Sequence, residues 1–164
     1  MIVDEVSEKA RQNFMNGFNC AQSVFCALVE ELGEEKAGMN LETAQKLSSS
    51  FGGGMGRLRE VCGAVSGMFM AAGLVYGYSS SSEPDAKAEH YALIQELAKK
   101  FAEKNGSIIC RELLGLAPKT SSLAPDSPVP EKRTEQYYKK RPCADLVAGA
   151  AEIFAEYYES ADKS

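Results

Sequence analysis

From Val61 to Ser82 the chain carries no charged residue. On length alone such a run could cross a bilayer, for which about 20 residues are needed. Its hydrophobicity is diluted, though, by Gly63, Gly67, Gly73 and Gly77, by several alanines and by a run of serines. No membrane insertion is expected. The segment from Cys62 to Tyr78 reads instead as a helix apolar on nearly all sides, and such a helix has to be covered on all sides by its neighbours. That requirement points to an all-α helical bundle of about six to seven helices around a central apolar helix.

The flanking sequence supplies the covering helices. Val6, Ala10 and Phe14 recur at four-residue spacing in a first amphipathic helix that ends near Asn16-Gly17. Asn19 is a cap for a second helix, in which Val24, Phe25, Leu28, Val29 and Leu32 face inward until Gly33. Asn40 caps a third, with Leu41, Ala44 and Leu47 inward, and the glycine-rich stretch Gly52-Gly53-Gly54-Met55-Gly56 follows as a loop. Ser82-Glu83-Pro84 opens a fifth helix, whose inward face carries Leu93, Ile94, Leu97 and Phe101 and which stops at Asn105-Gly106. Ser107 is expected to cap a short sixth helix through Cys110 and Leu114. A loop rich in proline and serine runs from Gly115 to Lys132, and the last helix begins around Pro142. No period-2 strand and no long repeat stands out. Residues 1–164 read as one domain, long enough to bury roughly two thirds of its unfolded surface without staples.

Charge and composition narrow the chemistry. With 18 basic and 23 acidic residues the net charge is −5, which argues against a nucleic-acid binder relying on a basic face. One histidine and no tryptophan exclude mechanisms that need two imidazoles. The opening residues Met1 to Lys9 lack a basic region followed by an apolar one, so no secretory signal is expected. The expected location is cytoplasmic, a reducing compartment where cysteines tend to be catalytic, redox-active or metal-bound.

Five cysteines remain, and four share a placement. Cys20 follows the cap Asn19, Cys62 opens the central helix, Cys110 lies three residues after Ser107, and Cys143 follows Pro142. All four fall in the first turn of a helix, where free backbone N–H groups and the positive dipole end favour a thiolate. The thiolate is both the nucleophile and the metal ligand. Cys26 lies in mid-helix beside Phe25 and Leu28 and reads as a packing residue.

The segment Cys62-Gly63-Ala64-Val65-Ser66-Gly67 fits a C-G-A-x-x-G motif, with Asn-Cys-Ala-Gln-Ser around Cys20, Cys-Arg-Glu-Leu-Leu-Gly from Cys110 and Arg-Pro-Cys-Ala-Asp-Leu-Val around Cys143. With these landmarks in order, the chain resembles the C_GCAxxG_C_C family, small bacterial and archaeal proteins named for four cysteines. The resemblance covers about residues 17 to 155. It implies redox chemistry at Cys20, Cys62, Cys110 and Cys143 and supplies no substrate.

Two further groups bear on a site. Gly63 and Gly67, four apart on one helical face, permit close approach, either of another helix or of a cofactor. Arg57 and Arg59 lie just upstream of Cys62, placed either to stabilise an anionic sulfur or cluster or to sit in solvent. The glycine loop is no phosphate loop, since it follows no strand and lacks a Gly-Lys-Ser/Thr ending. His90 falls at the edge of a buried stripe, and Tyr137-Tyr138-Lys139-Lys140-Arg141 is a short basic–aromatic cluster suited to neutralising a local site. There is no C-x-x-C, C-x-x-C-H or H-E-x-x-H.

Three functions fit these residues. The first is thiol–disulfide or electron-transfer chemistry by the four cysteines with a redox partner. The second is an iron–sulfur cluster, or zinc, held by Cys20, Cys62, Cys110 and Cys143 as metal ligands. The third is a helical module in which the cysteines only pack. A homo-oligomer is compatible with all three.

Overall fold

The computed structural model describes residues 1–81, 83–118 and 126–162. Among them nine right-handed α-helices are found: α1 (Val3–Met15), α2 (Cys20–Leu32), α3 (Glu34–Ala37), α4 (Leu41–Ser48), α5 (Gly63–Tyr76), α6 (Pro84–Asn105), α7 (Cys110–Leu113), α8 (Glu135–Lys140) and α9 (Cys143–Asp162). The expected all-α class holds, with more helices than expected. The additions are the single turn α3 and the short α8, which Thr134 starts by accepting the Tyr137 N–H at 3.1 Å.

The long helices are where their apolar periodicity puts them, because caps and stripes are local signals; in the short α4, by contrast, Leu41 and Leu47, expected inward, are exposed and of that stripe only Ala44 is buried. Asn19 caps α2 in a reciprocal arrangement: its Oδ1 accepts the Gln22 N–H at 2.9 Å while Gln22 Oε1 accepts the Asn19 N–H at 3.0 Å. Asn40 caps α4 with a single bond, its Oδ1 accepting the Thr43 N–H at 2.9 Å. Pro84 stands at the first turn of α6, and Gly106 closes that helix with φ 92°. The suggested opening residue Ser82 lies outside the described residues, as do residues 119–125 of the proline–serine loop.

Helices α1, α2, α5 and α9 form the body. α2 packs against α1, α4, α5 and α9, and α1 lies along α9. Phe14, Phe25, Phe101 and Phe154 are almost wholly buried among Val6, Leu28, Val65, Met68 and Leu97. Each such side chain is worth about 1.5–3 kcal/mol relative to exposure. The central apolar helix is α5, but complete covering is confined to its first half. Gly63 to Met68 are buried, whereas Phe69, Met70, Leu74, Val75 and Tyr76 are only partly so. Among the described residues no helix is long and apolar enough to cross a membrane.

Tight contact between α5 and α2 explains the glycines of the central helix. A Cβ at Gly67 would stand 2.8 Å from the Ala21 carbonyl oxygen and 3.0 Å from Val24 Cβ. At Gly63 it would meet Cys20 Cβ at 2.9 Å and the Ala21 nitrogen at 3.1 Å. Both positions put α5 against the backbone of α2. One pairing lies outside helices: Val61 and Ile109 form an isolated antiparallel bridge.

Candidate functional site

The bridge builds half of the site. Cys62 donates its N–H to the Ile108 carbonyl at 2.8 Å, and Cys110 donates its own to the Glu60 carbonyl at 2.6 Å. These two bonds place Cys62, the residue that caps α5, beside Cys110, the first residue of α7. Ser107 does not cap α7 directly, since Ile109 occupies that position. Its hydroxyl accepts the Ile109 N–H at 2.9 Å and donates to Glu112, which shapes the turn ahead of the helix. The other half comes from α2 and α9, which begin at Cys20 and Cys143. Gly63 joins the halves, because its missing side chain lets the start of α5 touch Cys20.

The glycine stretch is a turn of opposite hand to the helices. Gly53, Gly54, Met55, Gly56 and Arg57 take φ values of 68°, 70°, 66°, 62° and 65°, and Arg59 follows at 60°. For a residue with a side chain this conformation costs about 1–2 kcal/mol. Glycine at three of the positions limits the total, and bonds from Arg59 N–H to Gly53 O (3.3 Å) and from Glu60 N–H to Gly54 O (3.0 Å) offset the remainder. Gly54 is also a contact surface: a Cβ there would lie 2.6 Å from Cys110 Cβ. The turn therefore presses on Cys110 and aims Arg59 back towards its sulfur, while Arg57 reaches the Ser127 carbonyl and Asp126.

Cys20, Cys62, Cys110 and Cys143 all line one cavity of about 460 Å³. Gly52, Gly53, Gly54 and Gly63 contribute main chain to its wall, and Phe14, Leu113, Leu114 and Leu146 contribute apolar surface. Arg57, Arg59, Arg133 and Arg141 supply four cations against one lining carboxylate, Glu131. The cavity reaches the surface past the exposed Pro128, Pro130 and Glu131. Cys62, Cys110 and Cys143 are recessed, at 4%, 7% and 7% exposure.

Each arginine is held differently. Arg59, itself buried, binds Asp126 at 3.0 Å and points Nη1 at Cys110 Sγ, 3.7 Å away. Arg57 reaches the same carboxylate at 3.4 Å, and Arg141 pairs with Glu131. Arg133 donates to the carbonyl oxygens of Phe14 and Phe18 at 3.0 Å each and lies over the rings of Phe14, Tyr137 and Tyr138.

This environment separates the thiols. Cys143 is held below the ordinary thiol range because Cys20 donates a hydrogen bond to its sulfur, an effect that outweighs burial and is reinforced by Arg141, Arg133 and Arg59. The same bond raises Cys20, the proton donor, well above that range. Burial pushes Cys62 up to about 12, although the N–H groups of Val65 and Ala64 at the start of α5 act against it. Burial also raises Cys110, with Arg59 opposing. A helix start alone is thus insufficient: three of the four placed there are raised.

The structure leaves Gly67 outside the cavity lining, packed on α2, and puts Cys26 in the core beside Ser48. Burial pushes Cys26 up to about 11. His90 is half-buried in a separate cavity with Tyr76 and Tyr78. Sequence inspection did not single out Arg133 or Asp126. Both lie in or after the proline–serine stretch without any local pattern, and only their long-range contacts mark them. All five cysteines are free, and among the described residues no group of three or more His, Cys, Asp or Glu side chains is gathered as a metal site would require.

Fold and cavity together define a small all-α protein with four thiols facing one arginine-lined recess. The family model described as "Putative redox-active protein (C_GCAxxG_C_C)" matches residues 18–157, and the chain belongs to that family. No curated protein and no solved structure matches it.

Proposed function

We propose that the protein carries out thiol–disulfide exchange, with Cys143 as the attacking thiol and Cys20 as the resolving one. The observation that carries this reading is that Cys20 and Cys143 line one cavity and act on each other, with Cys143 lowered and Cys20 raised. An attacking thiol has to be ionised near neutral pH and its resolving partner has to wait in the protonated state. In the first step the Cys143 thiolate attacks a disulfide R–S–S–R, forming Cys143–S–S–R and releasing R–S⁻. Cys20 then loses its proton, attacks the Cys143 sulfur, and releases the second R–S⁻ as the Cys20–Cys143 disulfide forms. Two protein thiols are oxidised and one substrate disulfide is reduced to two thiols.

Cys62 and Cys110 stand in the same cavity as a protonated reserve, held together by the Val61–Ile109 bridge. Exchange requires only two sulfurs of the cavity to meet, and Cys20 and Cys143 are the pair that act on each other there. Ligation of an iron–sulfur cluster or zinc by all four would require them to close up further. A dithiol resting in its reduced form suits a reducing compartment such as the cytoplasm, with a separate redox partner returning it to that form.

The test is trapping. Reduced protein is mixed with a small disulfide and analysed by mass spectrometry. Cys20→Ser should accumulate a mixed disulfide on Cys143, Cys143→Ser should accumulate none, and Cys26→Ser should behave as the parent does. Full exchange by Cys143→Ser would refute the assignment.

A further inference from the structure

The charge around the thiols exceeds what the exchange reaction itself uses. Asp126 offsets one of the two arginines it binds, Arg57 and Arg59, and Glu131 offsets Arg141. Both carboxyls are held below their usual range by those hydrogen bonds, so both are ionised at neutral pH. Among the described residues no carboxylate pairs with Arg133, whose partners are two carbonyl oxygens and three aromatic rings. With neutral thiols the recess thus holds a surplus of two positive charges, and ionising Cys143 takes up one. In a chain of net charge −5 this is a local reversal of sign.

Size and depth add a second constraint. A thiol 7% exposed at the wall of a recess is out of reach for a disulfide set in another folded protein's surface. The space of about 460 Å³ falls in the range of small-molecule sites, roughly 300–1,000 Å³. Two of the five N–H donors of Arg133 are used by the carbonyls, so its fork keeps donors for a carboxylate.

We infer that the disulfide substrate is a small molecule bearing carboxylates, drawn into the recess by the uncompensated charge of Arg133 and oriented with its S–S bond on Cys143. This rests on the thiol-exchange reading, and adds to it the class of substrate. The chemistry is the balanced exchange above with R a carboxylate-bearing group: the substrate disulfide ends as two free thiols and the protein as the Cys20–Cys143 disulfide.

The experiment uses the full reduced chain and three disulfides of similar size but different charge: 3,3′-dithiodipropionate (anionic), bis(2-hydroxyethyl) disulfide (neutral) and cystamine (cationic). Rates of protein oxidation are divided by the rate of 2-mercaptoethanol with the same disulfide, which removes the intrinsic reactivity of each reagent. The normalised rate for the anion should exceed that for the cation by about tenfold or more at low salt, within the 10–10³ range of electrostatic steering. The ratio should fall towards one as salt is raised. Arg133→Gln should collapse the ratio while Arg133→Lys keeps it. Equal normalised rates, or a preference for cystamine, would overturn the substrate class and leave thiol exchange standing. Failure of all three reagents to oxidise the parent would overturn thiol exchange itself. The parent's charge series and salt dependence decide the matter even if Arg133→Gln does not fold.

Discussion

Arg59 holds its guanidinium 3.7 Å from the sulfur of Cys110 while its own backbone sits at φ 60°, in the left-handed region. The strain and the contact belong together. A residue with a side chain is forced into this conformation only where its surroundings overdetermine it, and here Asp126, Cys110 and the Gly53 carbonyl do so. The backbone cost keeps a buried cation beside a thiol that burial raises, and the cation opposes part of that rise.

Arg59→Gln therefore removes the larger of the two arginine effects that oppose burial at Cys110, with Arg141 remaining. Alkylation of Cys110, followed residue by residue against pH, should shift to higher pH in the variant. Cys143 should stay the fastest-reacting cysteine, because Cys20, Arg141 and Arg133 remain around it. Unchanged Cys110 reactivity would mean that the 3.7 Å contact has no electrostatic consequence.

Alkaline pH should destabilise the fold through its buried thiols. Burial raises Cys26 to about 11 and Cys62 to about 12, while unfolded cysteines ionise near 8.5. The unfolded state then binds fewer protons than the folded state, so stability is full below about 8.5 and is lost as pH rises towards those higher values. Each such thiol contributes a slope of up to about 1.4 kcal/mol per pH unit. Denaturant melts between pH 7 and 10.5 should show the decline, and Cys62→Ala should flatten it.

The two kinds of glycine in α5 should respond with opposite sign. Gly67→Ala drives a methyl into the Ala21 carbonyl at 2.8 Å and should cost about 1–3 kcal/mol. Gly73 is exposed with nothing within 4 Å of an added Cβ, so Gly73→Ala should stabilise by about 0.5–1 kcal/mol. Thermal or urea unfolding of both variants is sufficient. A stabilising Gly67→Ala would show that α5 and α2 are less tightly apposed than the geometry here requires.

In the left-handed turn, Met55→Gly and Gly54→Ala should likewise diverge. Met55 is 38% exposed and sits at φ 66°, so replacing it by glycine relieves strain and should gain up to about 1 kcal/mol. Gly54→Ala adds a side chain at φ 70° that meets Cys110 Cβ at 2.6 Å and the Arg59 backbone at 2.9 Å. It should lose about 2 kcal/mol or more and alter Cys110 alkylation, which the same mass-spectrometric assay reads.

The long helices were legible from residue types alone, whereas the short α3 and α8 were not. Val6, Ala10 and Phe14 mark the buried face of α1, Asn19 and Asn40 mark the starts of α2 and α4, and Gly106 marks the end of α6, each through interactions spanning four residues or fewer. The four cysteines at helix starts were legible for the same reason. Tertiary structure alone decided which thiol differs from the others. Cys20 meets Cys143 across the chain, Asp126 reaches back to Arg59, and Arg133 finds the carbonyls of Phe14 and Phe18. A turn of inverted hand and a single bridge between Val61 and Ile109 bring the remaining pair alongside. A helix is written in neighbours along the chain, so its signals can be read there. The ionisation of a thiol depends on what lies within a few ångströms in space, and for Cys143 those groups come from residues as distant in sequence as Cys20 and Arg59.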